Sequence, residues 1–107
     1  MAASHELQIT VPAPPAQVWD QAQRVVYALS GAQPVPVGPG MMRASVGASL
    51  WSWGEDVTLR FATGPAGTSV HIRSECKFPL QLIDWGRNKK NVEHIAHGLS
   101  VHAQQGG

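Results

Sequence analysis

A long stretch of alternating apolar and polar residues in the middle of the chain constrains the fold more than any other feature. In its first half the apolar side chains occupy odd-numbered positions, so an extended backbone places them on one face. These residues are Trp51, Trp53, Val57, Leu59 and Phe61. After turn residues at 63–67 the alternation resumes. The apolar residues of this second half are Val70, Ile72, Cys76 and Phe78. The pattern predicts a β-hairpin with one apolar and one solvated face.

Glu55 is the polar exception on the apolar face of this hairpin. Gly54 precedes it and marks a bulge or bend. Asp56 follows it, and neighbouring residues on a strand point to opposite faces. We therefore do not expect Glu55 and Asp56 to act together as a general acid and base.

The segment before the hairpin predicts a strand followed by a helix. Apolar and polar residues alternate over 6–11, and Pro12 ends the strand. Pro14 and Pro15 suit the entry to a helix over about 15–30, and Gly31 is suited to the left-handed conformation that ends one. Residues 32–40 read as a loop or an irregular edge strand, and residues 41–46 as a short strand.

A second helix is predicted at the C-terminal end of the chain. Apolar residues recur at three- and four-residue steps from about 85 to at least 97, with Asn88 as a polar exception. Asp84 is suited to cap its first turn. Gly98 either ends this helix or weakens it.

The order of these elements is β-α-β-β-β-α, which predicts an α+β fold. We expect an antiparallel sheet of about four strands with two helices packed on one face. Residues 1–107 form a single domain in this interpretation, with an ordered core over about 6–100 and a flexible tail over 101–107.

Composition excludes several classes of protein. The 107 residues carry 8 Lys and Arg against 7 Asp and Glu, too small an excess to favour nucleic acid. Cys76 is the single cysteine, so no intramolecular disulfide forms, which fits a reducing compartment. No apolar run reaches the roughly 18 residues of a membrane span, and the first residues do not resemble a signal peptide. We expect a cytoplasmic protein without a membrane partner.

The strongest local irregularity is a group of cations at the start of the last helix. Arg87, Lys89 and Lys90 occupy its first turns, where the helix dipole disfavours positive charge and free N–H groups attract anions. A bound phosphate, carboxylate or acidic partner would resolve the mismatch. The alternative is that these residues only solvate the surface, while Trp85 anchors the helix and Asn88 and Asn91 bond to the preceding loop.

Other candidate residues have simpler structural explanations. Trp51 and Trp53 either pack beneath a helix or line a cleft. His94 and His97 face water and lack the further ligands that a metal requires. Cys76 is expected to be a buried apolar residue rather than a nucleophile. The sequence predicts no catalytic residue, no metal and no cofactor.

Residues 7–29, which begin Leu-Gln-Ile-Thr-Val-Pro-Ala-Pro-Pro, resemble the opening strand and helix of the helix-grip superfamily. That superfamily includes polyketide cyclases and START-like lipid carriers. The resemblance implies a long final helix that grips a curved sheet around an apolar cavity, although this chain is too short to hold all the strands of that fold.

A second resemblance covers most of the chain. The segments Ser52-Trp-Gly-Glu55, Arg73-Ser74 and Asp84-Trp-Gly-Arg-Asn-Lys-Lys-Asn91 are similar to those of small bacterial proteins of unknown function. This resemblance implies an architecture but no chemistry.

These observations leave two hypotheses for function. The first is a non-enzymatic binding or protein-interaction domain that accepts an anion at the start of the last helix and on the adjoining solvated strand face. Its contact residues are Arg73, Lys77, Asp84, Trp85, Arg87, Asn88, Lys89 and Lys90. The second is a reduced helix-grip carrier or cyclase-like enzyme with an apolar pocket lined by Trp51, Trp53, Met42 and Trp85. Edge-strand pairing into a homodimer is compatible with both hypotheses.

Overall fold

The fold is an antiparallel sheet with two helices on one of its faces. The computed structural model describes residues 3–47, 54–78 and 86–106, and residues 101–106 by backbone alone. The elements are β1 (Ser4–Val11), α1 (Pro15–Ser30), β2 (Val35–Gly38), β3 (Met41–Val46), β4 (Glu55–Gly64), β5 (Gly67–Cys76) and α2 (Arg87–Gly106). The spatial order of the strands is β1-β5-β4-β3-β2. The predicted α+β class is confirmed, with five strands in the sheet.

The additional strand, β2, comes from the proline-rich segment that the sequence left open between a loop and an edge strand. It forms the edge of the sheet, where Val35 is opposite Arg43 and Pro36 is opposite Met42. The register then shifts before Gly38. Pro36 has no N–H to donate, which is tolerated at an edge and explains why this strand is short and irregular.

The central hairpin forms as predicted, with Glu55 opposite Cys76 at its open end and Gly64 opposite Gly67 at its turn. Val57 and Leu59 of β4 and Val70 and Ile72 of β5 are fully buried beneath the helices. Phe78 was predicted to share this apolar face, and that prediction is wrong. Because β5 ends at Cys76, Phe78 lies beyond the ladder and is exposed.

Both helices pack on the same face of the sheet and against each other. Helix α1 begins at Pro15 and ends at Ser30, as predicted, and Gly31 (φ 78°) donates its N–H to the Tyr27 carbonyl at 2.8 Å. Trp19 packs against Phe61 with ring centroids 5.2 Å apart. The buried core combines residues of four strands and both helices: Val11, Val18, Ala22, Val25, Val26, Met42, Ala44, Val57, Leu59, Val70, Ile72, Val92, Ile95, Ala96 and Leu99.

Gly98 does not end the last helix, which continues to Gly106. Instead, Gly98 is the point where α2 approaches α1. A Cβ built at Gly98 would lie 2.8 Å from Cγ1 and 3.0 Å from Cγ2 of Val25. Val25 cannot easily give way, because a β-branched side chain in a helix has one strongly preferred rotamer. The flexibility predicted for residues 101–107 stays a prediction.

We predict that Gly98→Leu lowers the free energy of unfolding by about 1 kcal/mol in total, because overpacking typically costs about 1–3 kcal/mol. Helix propensity acts in the opposite direction by about 1 kcal/mol, since leucine favours a helix more than glycine does. Urea unfolding measures the change, with His97→Leu at an exposed neighbouring position as the control. A Gly98→Leu protein more stable than the wild type would contradict the close packing of the two helices.

Candidate functional site

A group of buried polar side chains lies between the sheet and the start of α2. Glu55, Ser74 and Asn88 are fully buried, Asn91 is almost fully buried, and Arg87 is partly exposed. We refer to these five residues as the polar network. They come from β4, β5 and the first turns of α2.

The polar network is centred on the carboxylate of Glu55. Nε of Arg87 lies 3.1 Å from both carboxylate oxygens, and Nη2 of Arg87 donates to the Gly47 carbonyl at 3.0 Å. Nδ2 of Asn91 donates to Oε1 of Glu55 at 3.1 Å. A carboxylate removed from water requires such partners, because desolvation of an unpaired charge is costly. The Glu55 position that interrupts the apolar face therefore fixes α2 to β4.

The two asparagines extend the network to β5 and β1. The Ser74 hydroxyl donates to Oδ1 of Asn88 at 2.7 Å, and Nδ2 of Asn91 donates to that hydroxyl at 3.0 Å. Nδ2 of Asn88 donates to the Ala3 carbonyl at 3.0 Å and lies 3.5 Å from Sγ of Cys76. Asn88 and Asn91 thus bond to strands on the sheet, and Cys76 is buried as expected.

Two glycines with positive φ set the positions of the ion pair. Gly54 (φ 100°) precedes Glu55, and Gly86 (φ 76°) precedes Arg87. Residues with side chains rarely adopt this conformation, so glycine allows the sharp entry into β4 and α2. The carbonyl of Gly86 accepts a hydrogen bond from the backbone N–H of Lys90 at 3.1 Å, within the first turn of the helix. The Gly-Glu pair at 54–55 and the Gly-Arg pair at 86–87 therefore have the same backbone role.

The opposite face of the sheet carries a second group of polar residues around an open groove of about 510 Å³. We call it the outer-face groove. Its lining comes from all five strands and comprises Glu6, Val37, Met41, Arg43, Asp56, Thr58, Arg60, His71, Arg73 and Glu75. The groove has an acidic half with paired charges and a basic half whose charges have no acidic partner in the described part of the chain.

In the acidic half, each carboxylate has a cationic partner. Glu6 lies 2.8 Å from Nε2 of His71 and 3.1 Å from Nη1 of Arg73. Arg73 also contacts Glu75 at 2.8 Å, and this hydrogen bond is the main reason why the pKa of Arg73 is raised. Lys77 lies 3.9 Å from Asp56. The charges of this half are therefore largely compensated.

In the basic half, Arg43 and Arg60 have no acidic side chain within 4 Å among the described residues. Both are exposed. Arg43 is opposite Thr58, and Arg60 is two residues further along the same strand, opposite Met41. Diagonal neighbours of this kind lie about 7–8 Å apart, a distance that two arginine side chains can bridge around one anion.

The predicted binding residues fall into three groups. Arg73 and Lys77 lie on or beside the outer face, whereas Arg87 and Asn88 belong to the polar network on the helix side. Lys89 and Lys90 are exposed on α2, with Lys89 3.8 Å from Glu93. Trp51, Trp53, Asp84 and Trp85 lie outside the described residues. The structure thus places Arg73 and Arg87 on opposite faces of the sheet.

Sequence reasoning missed Arg43 and Arg60. Their signal was present, since both alternate with buried residues and so belong on the solvated face. It also missed the partner of Glu55, which lies 32 positions further along the chain. No group of three or more metal-ligating side chains occurs in the described part of the chain.

The space between sheet and helices is filled where the structure describes it. A pocket between β1, α1 and α2, lined by residues that include Val11, Val18 and Leu99, has a volume of only about 10 Å³. Met42, predicted to line an apolar pocket, is completely buried in the core. No helix in the described ranges is long and apolar enough to span a membrane.

Residues 3–99 match the family model described as "Protein of unknown function (DUF1499)". The chain belongs to the DUF1499 family. This membership supports the resemblance to proteins of unknown function, while the sequence pattern proposed for them is not tested. No curated protein matches the chain significantly.

Solved structures show the same fold at low sequence identity. Protein MLL2253 from Mesorhizobium loti has 12% identity and a TM-score of 0.70, with 96% of this chain and 98% of that chain covered. A START superfamily protein from Mycobacterium smegmatis has 8% identity and a TM-score of 0.70, with 97% and 99% covered. Ara h 8.0201 has 12% identity and a TM-score of 0.58, with 98% and 99% covered. These similarities support the resemblance to the helix-grip fold.

We predict that Arg87→Ala lowers the free energy of unfolding by about 3 kcal/mol, because it leaves the buried Glu55 carboxylate without its cation. Lys89→Ala, two positions further along α2, removes only an exposed pair with Glu93 and costs less than about 1 kcal/mol. Urea unfolding at neutral pH measures both. Equal effects of the two substitutions would contradict the central role of the buried pair.

Proposed function

We propose that this DUF1499 chain is a non-enzymatic binding domain that holds a small organic anion in the outer-face groove. The single observation that carries the proposal is the pair of arginines, Arg43 and Arg60, whose charges have no acidic partner among the described residues. Arginine presents a planar set of N–H donors that matches a carboxylate or phosphate.

The surroundings of the two arginines support a ligand of limited size. A groove of about 510 Å³ lies in the range of small-molecule sites, which is about 300–1,000 Å³. Thr58 is opposite both Arg43 and Arg73, so its hydroxyl lies between them on the outer face. Val37 and Met41 provide an apolar border beside the basic half. The ligand class that fits is an anion with a short apolar part.

His71 connects the basic half to the acidic half. It is opposite Arg60 across the β4–β5 ladder and contacts Glu6 on β1. The outer face therefore carries an imidazole between Arg60 and Glu6.

The start of α2 is the competing location for an anion. Three cations stand in its first turns, but Arg87 is bonded to Glu55 and Gly47, and Lys89 lies near Glu93. Lys90 is exposed and belongs to the same surface. Because internal partners occupy much of this charge, we favour the outer-face groove.

Paired substitutions distinguish the two locations. We predict that Arg43→Gln with Arg60→Gln raises the Kd for succinate and for inorganic phosphate at least about tenfold, since each charged hydrogen bond contributes about 1.5–3 kcal/mol. Lys89→Gln with Lys90→Gln removes the same charge from the α2 surface and changes the Kd less than about twofold. Amide NMR titration at low ionic strength measures both values.

The opposite ranking of the two double variants would place the anion at the start of α2. Amide shifts at neither location with millimolar succinate or phosphate would remove the proposed function altogether. Unchanged spectra of both variants without ligand provide the folding control.

The second candidate function is carriage of an apolar small molecule between sheet and helices. The shared fold with a START superfamily protein favours it. For this function we expect a fatty acid to shift the methyl NMR signals of Met42 and Leu59, which are buried in the core. Unchanged methyl signals at saturating fatty acid would contradict it.

A further inference from the structure

Among the residues that the structure describes, no strand pairs with the outer edge of β1. β1 has eight residues, and its neighbour in the described sheet is β5. In an antiparallel ladder, residues alternate between those that bond to the neighbour and those that face away. The hydrogen bond from the Cys76 N–H to the Ala3 carbonyl fixes this alternation. It shows that the odd-numbered residues of β1 direct their backbone N–H and C=O groups toward β5. The backbone N–H and C=O groups of Ser4, Glu6, Gln8 and Thr10 therefore point outward from the sheet.

The two edges of the sheet differ in their protection. Proteins commonly block an edge with a proline, a bulge, a lysine or a short strand. The β2 edge has four residues, contains Pro36 and shifts register before Gly38. β1 contains neither proline nor lysine, and its register with β5 is continuous from Ser4 to Val11. It is the edge that is suited to accept another strand.

Apolar side chains accompany these free backbone groups. Leu7 and Ile9 lie on the helix side of β1, pack against the core and remain partly exposed. A strand added beside β1 would bury the exposed part of both. Backbone pairing and apolar burial would then act together at the same edge.

We propose that two copies of this chain pair through their β1 edges around a two-fold axis at Leu7. This register places Ser4 opposite the partner's Thr10 and Glu6 opposite the partner's Gln8. Each of these pairs exchanges two backbone hydrogen bonds, and so does its symmetry-related copy. Leu7 meets the partner's Leu7 at the centre, where the side chains of a non-hydrogen-bonded pair approach closely.

Charge and length select this register over its neighbours. The side chains of paired residues lie on the same face of the sheet. Only registers that place odd-numbered residues opposite odd-numbered residues are therefore allowed. A centre at Glu6 would oppose two carboxylates, which destabilises a pair. A centre at Gln8 leaves Ser4 unpaired. The register centred on Leu7 avoids both the opposed carboxylates and the unpaired Ser4. It joins the two sheets into one and places both outer-face grooves on the same side.

Sedimentation equilibrium with two substitutions at Gln8 tests the pairing. We expect the wild type to form a concentration-dependent dimer of twice its 11.4 kDa. Gln8→Pro removes an outward N–H that the β1–β5 ladder does not use, and should leave a folded monomer. Gln8→Thr loses the same side-chain contact with Ser69 but keeps the N–H, and should remain a dimer.

Hydrogen exchange of the wild type gives a readout that does not depend on the variants. The amides of Glu6 and Gln8 should be protected at high protein concentration and lose that protection on dilution. A wild type that is monomeric at all concentrations would overturn the proposal. A dimer that persists in folded Gln8→Pro, or fast exchange at both amides within the dimer, would overturn it as well.

Discussion

The ion pair between Glu55 and Arg87 is the interaction on which the rest of the structure depends. A fully buried carboxylate is stable only with close partners, and Arg87 and Asn91 provide them from the first turns of α2. Ser74 and Asn88 continue the contacts to β5 and to the backbone of Ala3. Together they fix where the last helix begins, and the apolar stripe of Val92, Ile95 and Leu99 then covers the sheet.

This arrangement has a direct consequence for where a ligand can bind. The helix side of the sheet carries apolar side chains and the polar network, and a pocket among the described residues there has a volume of only about 10 Å³. Arg87, one of the cations at the start of α2, is bonded to Glu55. The outer face carries the open groove and the two arginines, Arg43 and Arg60, which lack an acidic partner among the described residues. The proposed anion site therefore lies on the face that the helices leave uncovered.

Local patterns predicted much of the fold but little of the site. Pro15 and Gly31 defined α1 because helix ends depend on adjacent residues, and the alternation through Val57 and Ile72 defined the hairpin. β2 was left open because its prolines favour a loop and an edge strand equally. The pairing of Glu55 with Arg87 and the proximity of Arg43 to Arg60 depend on strand register and helix docking. Such long-range contacts have no local signal.

The most direct test is a titration of the wild-type protein with succinate. It follows the Nε–Hε NMR signals of individual arginines. We predict that the signals of Arg43 and Arg60 shift in a saturable way, while the signal of Arg87 stays in place because its Nε is hydrogen-bonded to Glu55. A shift at Arg87 without shifts at Arg43 and Arg60 would contradict both the closed polar network and the outer-face binding site.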